Sequence, residues 1–144
     1  MFKTRYLLLL FLSLTLAQES LAADYILVVN KENPVHTLDS EMVKKIFLGK
    51  RNFWEDGHRI EVFLQPENEL HEKFIKDVLK KSTRQFKMYW RRELYSGTGL
   101  PPQKLEDDAK IKEAVASDPR AIGYIAADSF DDSVKWVRIT KETN

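Results

Sequence analysis

The chain has 144 residues, 23 of them basic and 22 acidic, and it contains no cysteine. That balance gives no electrostatic reason to bind nucleic acid or an acidic membrane surface, and the lack of thiols removes disulfides, cysteine nucleophiles and cysteine-ligated metals. The size suits one domain with one modest core.

The first residues read MFKTRYLLLLFLSLTLAQESLAAD. Lys3 and Arg5 precede an apolar run that starts at Tyr6 and reaches Ala17, and Ser20 and Ala22 supply a small-x-small cleavage pattern. This is the pattern of a secretory signal peptide, with an apolar run shorter than the roughly 20 residues that span a bilayer. Cleavage after Ala22 removes 22 of the 144 residues and leaves 122, residues 23–144, as one exported, soluble domain that does not span a membrane once processed.

Tyr25 to Val29 (YILVV) is a continuous apolar run of buried-strand type, followed by an Asn33-Pro34 turn. A helix is predicted next: Asp39 or Ser40 caps it, Met42, Val43, Ile46 and Phe47 form its apolar face, and Gly49 stops it. After a loop with an Asp56-Gly57 turn, RIEVFL alternates Ile60, Val62 and Leu64 inward against Arg59, Glu61 and Phe63, which predicts a strand. Leu70, Phe74, Val78 and Leu79 recur at helical spacing and predict a helix from Glu67 to Lys80. A second helix follows at once, with Ser82 and Gln85 as a capping box and Phe86, Tyr89, Trp90 and Leu94 as its face. Asp107 to Ser117 reads as a short helix on Ile111, Ala114 and Val115, and AIGYI and SVKWVRI as two final strands. The order is that of an α/β domain, with Phe47, Trp54, Phe74, Trp90, Ile122 and Tyr124 expected in one core.

Between the third helix and the fourth, the stretch Ser96-Gly97-Thr98-Gly99 has the composition of an anion-holding turn. Such turns open helices, where the helix dipole adds to the site, whereas Pro101 and Pro102 follow here. A glycine-proline turn is the expectation. The three histidines, His36, His58 and His71, have no i, i+4 pair, so exposed or hydrogen-bonded side chains are expected and no metal. No nucleophile elbow surrounds Ser96 or Thr98, and the acidic pairs Asp107-Asp108 and Asp131-Asp132 read as caps and solvated surface, so neither an enzyme nor a cofactor is expected. Arg91 and Arg92 read as a solvated helix end.

Five segments, in order, carry a resemblance: VVNKENPV, IFLGKRNFWEDG, FIKDVL, FKMYWRREL with its SGTG turn, and SDPRAIGYIA. Together they resemble the second lobe of the periplasmic phosphate-binding proteins, the solute receptors of phosphate ABC transporters. The resemblance covers most of residues 25 to 127. It implies a single lobe of a type II periplasmic-binding-protein-like fold, an open mixed sheet flanked by helices, in a periplasmic protein. In that family the lobe offers an arginine at a strand end and a Gly-Ser-Gly-Thr turn at the next helix. Here Gln65 stands near the arginine position and Glu69-Leu70-His71 falls where Ser-Gly-Thr would be. Gln65, Asn68 and His71, with Ser96 and Thr98 in the later turn, are the candidate ligand-contacting residues. Glu67 and Glu72 are expected to complement the helix N-terminus and repel phosphate. Two readings stand: a solute-receptor-like protein for a small anion, with phosphate itself in doubt, or a module that uses the fold to contact an envelope protein, with self-association through the exposed lobe face as a further expectation.

Overall fold

A computed structural model describes residues 24–141; the predicted signal peptide lies outside the described residues. Strand β1 (Tyr25–Val29) is followed by the short β2 (Thr37–Asp39) and helix α1 (Ser40–Phe47). Then come β3 (Glu61–Leu64), the helix pair α2 (Glu69–Leu79) and α3 (Thr83–Ser96), and the two-residue β4 (Gln103–Lys104). Helix α4 (Asp108–Ser117), β5 (Ala121–Ala126), a 3-10 turn (Ala127–Ser129) and β6 (Lys135–Thr140) complete the described chain.

The strands form one mixed sheet in the order β2-β6-β1-β5-β3-β4. β1 pairs antiparallel with both β5 and β6, while β2 is parallel to β6 and β3 is parallel to both β5 and β4. Five strands therefore point one way and β1 alone runs against them. Their carboxyl ends share one edge, from which α1, α2 and α4 depart. In open α/β sheets this is the edge that receives ligands.

The period of two along a strand decides how the layers fill. Leu27 and Val29 of β1, with Ile122 and Tyr124 of β5, face the layer built by Val43, Ile46 and Phe47 of α1, Phe74 and Leu79 of α2, and Phe86 and Trp90 of α3. Val28, Ala121 and Ile125 face the opposite way, onto Ile111 and Val115 of α4. The expected core residues all join the first cluster, Trp54 from its half-buried margin. Phe63 departs from expectation: α4 covers the second face of the sheet, so this side chain packs against that cluster and is not the solvent side of an alternating strand.

Capping matches the expectation for α1, α3 and α4, whereas α2 begins at Glu69, not at Glu67, because Asn68 caps it. Asp39 accepts from the Met42 N–H, Asn68 from His71, Ser82 from Gln85 and Asp107 from Lys110. The capping box of α3 is complete, with Gln85 returning a bond to the Ser82 N–H. Gly49 lies just past α1 in the left-handed region, and a Cβ there would sit 2.7 Å from the Trp90 ring, so this stop also admits α3 onto the layer.

Candidate functional site

The β3–α2 connection brings three of the candidate residues together at the carboxyl edge. Asn68 ends the loop as the N-cap of α2, its side-chain oxygen 2.9 Å from the His71 N–H. This cap turns the first residues of α2 so that His71 points inward, where it is 2 % exposed. Its Nδ1 lies 2.5 Å from the Tyr124 hydroxyl of β5. That hydroxyl also accepts from the Gln65 N–H at 3.1 Å, so it ties the start of the β3–α2 loop to His71 of α2. Burial, reinforced by the positive charge of Lys104, pushes His71 down to about 4, so the ring is neutral at neutral pH.

Gln65 is 1 % exposed. Its Nε2 donates to the Tyr124 carbonyl at 3.1 Å and to the carboxylate of Asp108, the first residue of α4. The other Asp108 oxygen accepts from the Ala126 N–H at 3.2 Å and from the Ser129 hydroxyl at 2.6 Å. Both amide hydrogens of Gln65 thus have acceptors inside the protein. The acidic pair at the start of α4 divides its work: Asp107 caps the helix, whereas Asp108 turns to the sheet edge and is not the solvated surface group that the sequence suggested.

Glu67, exposed in the same loop, lies 2.5 Å from Lys87 of α3 and 3.5 Å from Lys104 of β4. The contact with Lys87 holds its carboxyl below the usual range. Glu67 is therefore not an isolated carboxylate: it pairs with two lysines, and the contact with Lys104 forms through β4, whose two residues carry no strand pattern.

Ser96 and Thr98 are not brought to this cluster. They lie at the C-terminal end of α3, where Gly97 adopts the left-handed conformation that ends the helix. Ser96 Oγ donates to the Arg92 carbonyl at 2.9 Å, and Thr98 Oγ1 donates to the Glu93 carboxylate at 2.5 Å. The turn closes a helix, as the prolines implied. Asp108, Ser129, Lys87 and Lys104 are the members of the edge that sequence reasoning missed. An acid directly after a capping acid was the one available signal for Asp108.

A concavity of about 610 Å³ opens at the opposite edge, between the segment after β1 and those preceding β3 and β5. Val35, Leu38, Met42 and Ile46 line it. On its polar rim His58 lies 3.0 Å from Asp56 and Arg120 lies 3.1 Å from Asp118. Trp54 Nε1 donates to the Arg120 carbonyl across it at 2.9 Å.

No family model matches the chain, and no curated protein matches it. Solved structures do. An ABC-type phosphate transport receptor from Vibrio cholerae superposes with a TM-score of 0.64 at 20 % identity, over 83 % of this chain and 47 % of the receptor. A putative phosphate ABC transporter substrate-binding protein from Clostridium perfringens, solved with bound phosphate, gives 0.63 at 24 %, over 80 % and 44 %. PstS from Borrelia burgdorferi gives 0.63 at 13 %, over 83 % and 49 %. This chain spans about half the length of each of them. What is shared at these identities is the fold: the chain is built as a single lobe of the periplasmic-binding-protein kind, like half of a phosphate ABC transporter substrate-binding protein.

Proposed function

We propose that this chain is an exported, non-enzymatic, solute-receptor-like lobe of the phosphate-uptake type that binds inorganic phosphate weakly or not at all. The signal-peptide pattern of residues 1–22 supports export, and the receptor-like fold supports a periplasmic destination. One observation carries the reading on phosphate. Where the resemblance expects an arginine, the chain has Gln65, a neutral side chain whose two amide hydrogens are already held by Tyr124 and Asp108.

A guanidinium would offer phosphate charged, bidentate hydrogen bonds, each contributing about 1.5 to 3 kcal/mol. Gln65 offers none without breaking internal bonds. The nearby lysines are flexible point charges without the bidentate fork of a guanidinium, and Glu67 pairs with both. The non-enzymatic reading is supported by the fold, whose solved neighbours are transport substrate-binding proteins.

The test is made on protein recovered from a periplasmic extract. Intact mass is expected to show a chain beginning at Ala23, and retention of residues 1–22 would overturn export. Calorimetric titration of this protein with phosphate at low salt is expected to give a dissociation constant weaker than about 1 mM. A micromolar constant would overturn the reading on phosphate.

A further inference from the structure

The bonding of Asp108 differs from that of an ordinary helix-start acid. Capping of α4 is already done by Asp107, whose oxygen accepts from the Lys110 N–H. The Asp108 carboxylate instead receives three donors, and none belongs to its own helix: Gln65 Nε2 from the β3–α2 loop, the Ala126 N–H at the end of β5 and the Ser129 hydroxyl of the 3-10 turn. Gln65 is fixed in turn by its second bond to the Tyr124 carbonyl and by its N–H bond to the Tyr124 hydroxyl. Two segments distant in sequence, the β3–α2 loop and the β5–turn junction, thus converge with three donors on one planar anion at the carboxyl edge of the sheet. That is the relation of a receptor to a bound carboxylate, except that the carboxylate is covalently part of the chain.

We propose that Gln65, Ala126 and Ser129 form a receptor for a small carboxylate and that Asp108 is its resident occupant, excluding external anions from this edge. The inference rests on the same site as the proposed function and deepens it by naming the residue that closes the site. Tethering explains why an internal group prevails. A carboxylate carried on α4 is present at a high effective concentration and gives up little freedom on binding, so a free anion at ordinary concentration does not displace it. Two oxygens on a planar group match the donors, one taking Gln65 and the other taking Ala126 and Ser129. Carboxylate is therefore the expected class, ahead of tetrahedral phosphate.

Removing the occupant while keeping the donors is the decisive experiment. In Asp108→Ala the excised group corresponds to formate, so formate is the probe, with chloride at equal ionic strength as the control and phosphate as a second anion. The variant is expected to melt below the wild type in chloride and to regain about 3 °C or more, saturably, in formate, while phosphate restores less and the wild type responds to neither. Adding Ser129→Ala to Asp108→Ala should weaken the formate response several-fold. If Asp108→Ala is unfolded in chloride, recovery of its circular dichroism in formate supports the proposal, and failure to recover overturns it. A formate response equal to that of the wild type, or one insensitive to Ser129→Ala, also overturns it. Phosphate titration of the wild type tests the proposed function independently, since that reading survives if Asp108 proves to be only a structural contact.

Discussion

His71 shows how one residue at the edge ties stability to pH. An unfolded histidine takes up a proton near pH 6.5, whereas this ring, buried against Tyr124 and Phe86, does so only at about 4. Between those values the unfolded chain holds more protons, so stability falls as pH drops from about 6.5 towards 4, and the contribution of His71 is intact above that window. Urea unfolding of wild type and His71→Leu at pH 7, 5.5 and 4.5 is expected to show a shallower acid decline in the variant. Parallel declines would mean that His71 is not the titrating group. The identity of His71 as an edge residue was legible from its place in the segment that replaces Ser-Gly-Thr. Its burial was not, because that depends on Tyr124, which lies beyond two intervening helices and reaches it only once β5 lies beside β3. Asp108 was hidden for a related reason: its three donors come from segments that only the sheet brings together.

At the scale of elements, legibility followed length and pattern. The four helices carry apolar stripes, and Asp39, Ser82 and Asp107 cap α1, α3 and α4 as their sequence positions suggest, whereas α2 starts at Glu69 under an Asn68 cap, two residues later than expected. β2 and β4 were missed because TLD and QK have no alternation to read; β2 exists by pairing with β6 and β4 by pairing with β3. The cost of missing β4 was functional, since Lys104 on that strand is one of the two partners of Glu67. Docking of α2 depends chiefly on Phe74. Its ring stacks on Tyr124 at 3.9 Å and 8°, and meets Phe47 at 4.9 Å and Tyr25 at 5.3 Å edge-on. One side chain therefore joins α2 to α1, β1 and β5. Phe74→Ala removes all these contacts and leaves a cavity between helix and sheet, so a loss of about 3 to 5 kcal/mol is expected. Thermal and urea unfolding measure it, and an unchanged midpoint would refute this docking role. The opposite face is closer: a Cβ on Gly123 would lie 2.9 Å from Ile111 of α4, so the bare backbone of β5 is what lets α4 settle onto the sheet.

For the whole molecule, the question is whether a unit spanning half the length of the solved receptors holds together as one. Both faces of its sheet are covered, α1, α2 and α3 on one side and α4 on the other. The two apolar clusters are not independent, because the same strands supply both: β1 gives Leu27 and Val29 to one and Val28 to the other, and β5 gives Ile122 and Tyr124 against Ala121 and Ile125. Loosening either helical layer exposes one side of β1 and β5 and weakens the backbone pairing on which the other layer rests. Unfolding should then be one cooperative transition. With Trp54 and Trp136 replaced by Phe, Trp90, buried on the three-helix face, reports that layer by fluorescence, while far-ultraviolet circular dichroism reports all the helices. The two signals are expected to share one urea midpoint, with a slope of about 1 to 3 kcal/mol per molar. A mutation on the far face gives the sharper check. Ile111→Ala, in α4, should lower stability by about 2 to 5 kcal/mol and shift the Trp90 fluorescence midpoint as far as the dichroism midpoint, although the indole belongs to the other cluster. A fluorescence midpoint that stays in place while the dichroism moves would show that the layers unfold separately, and that the shared strands do not couple the two sides of this lobe.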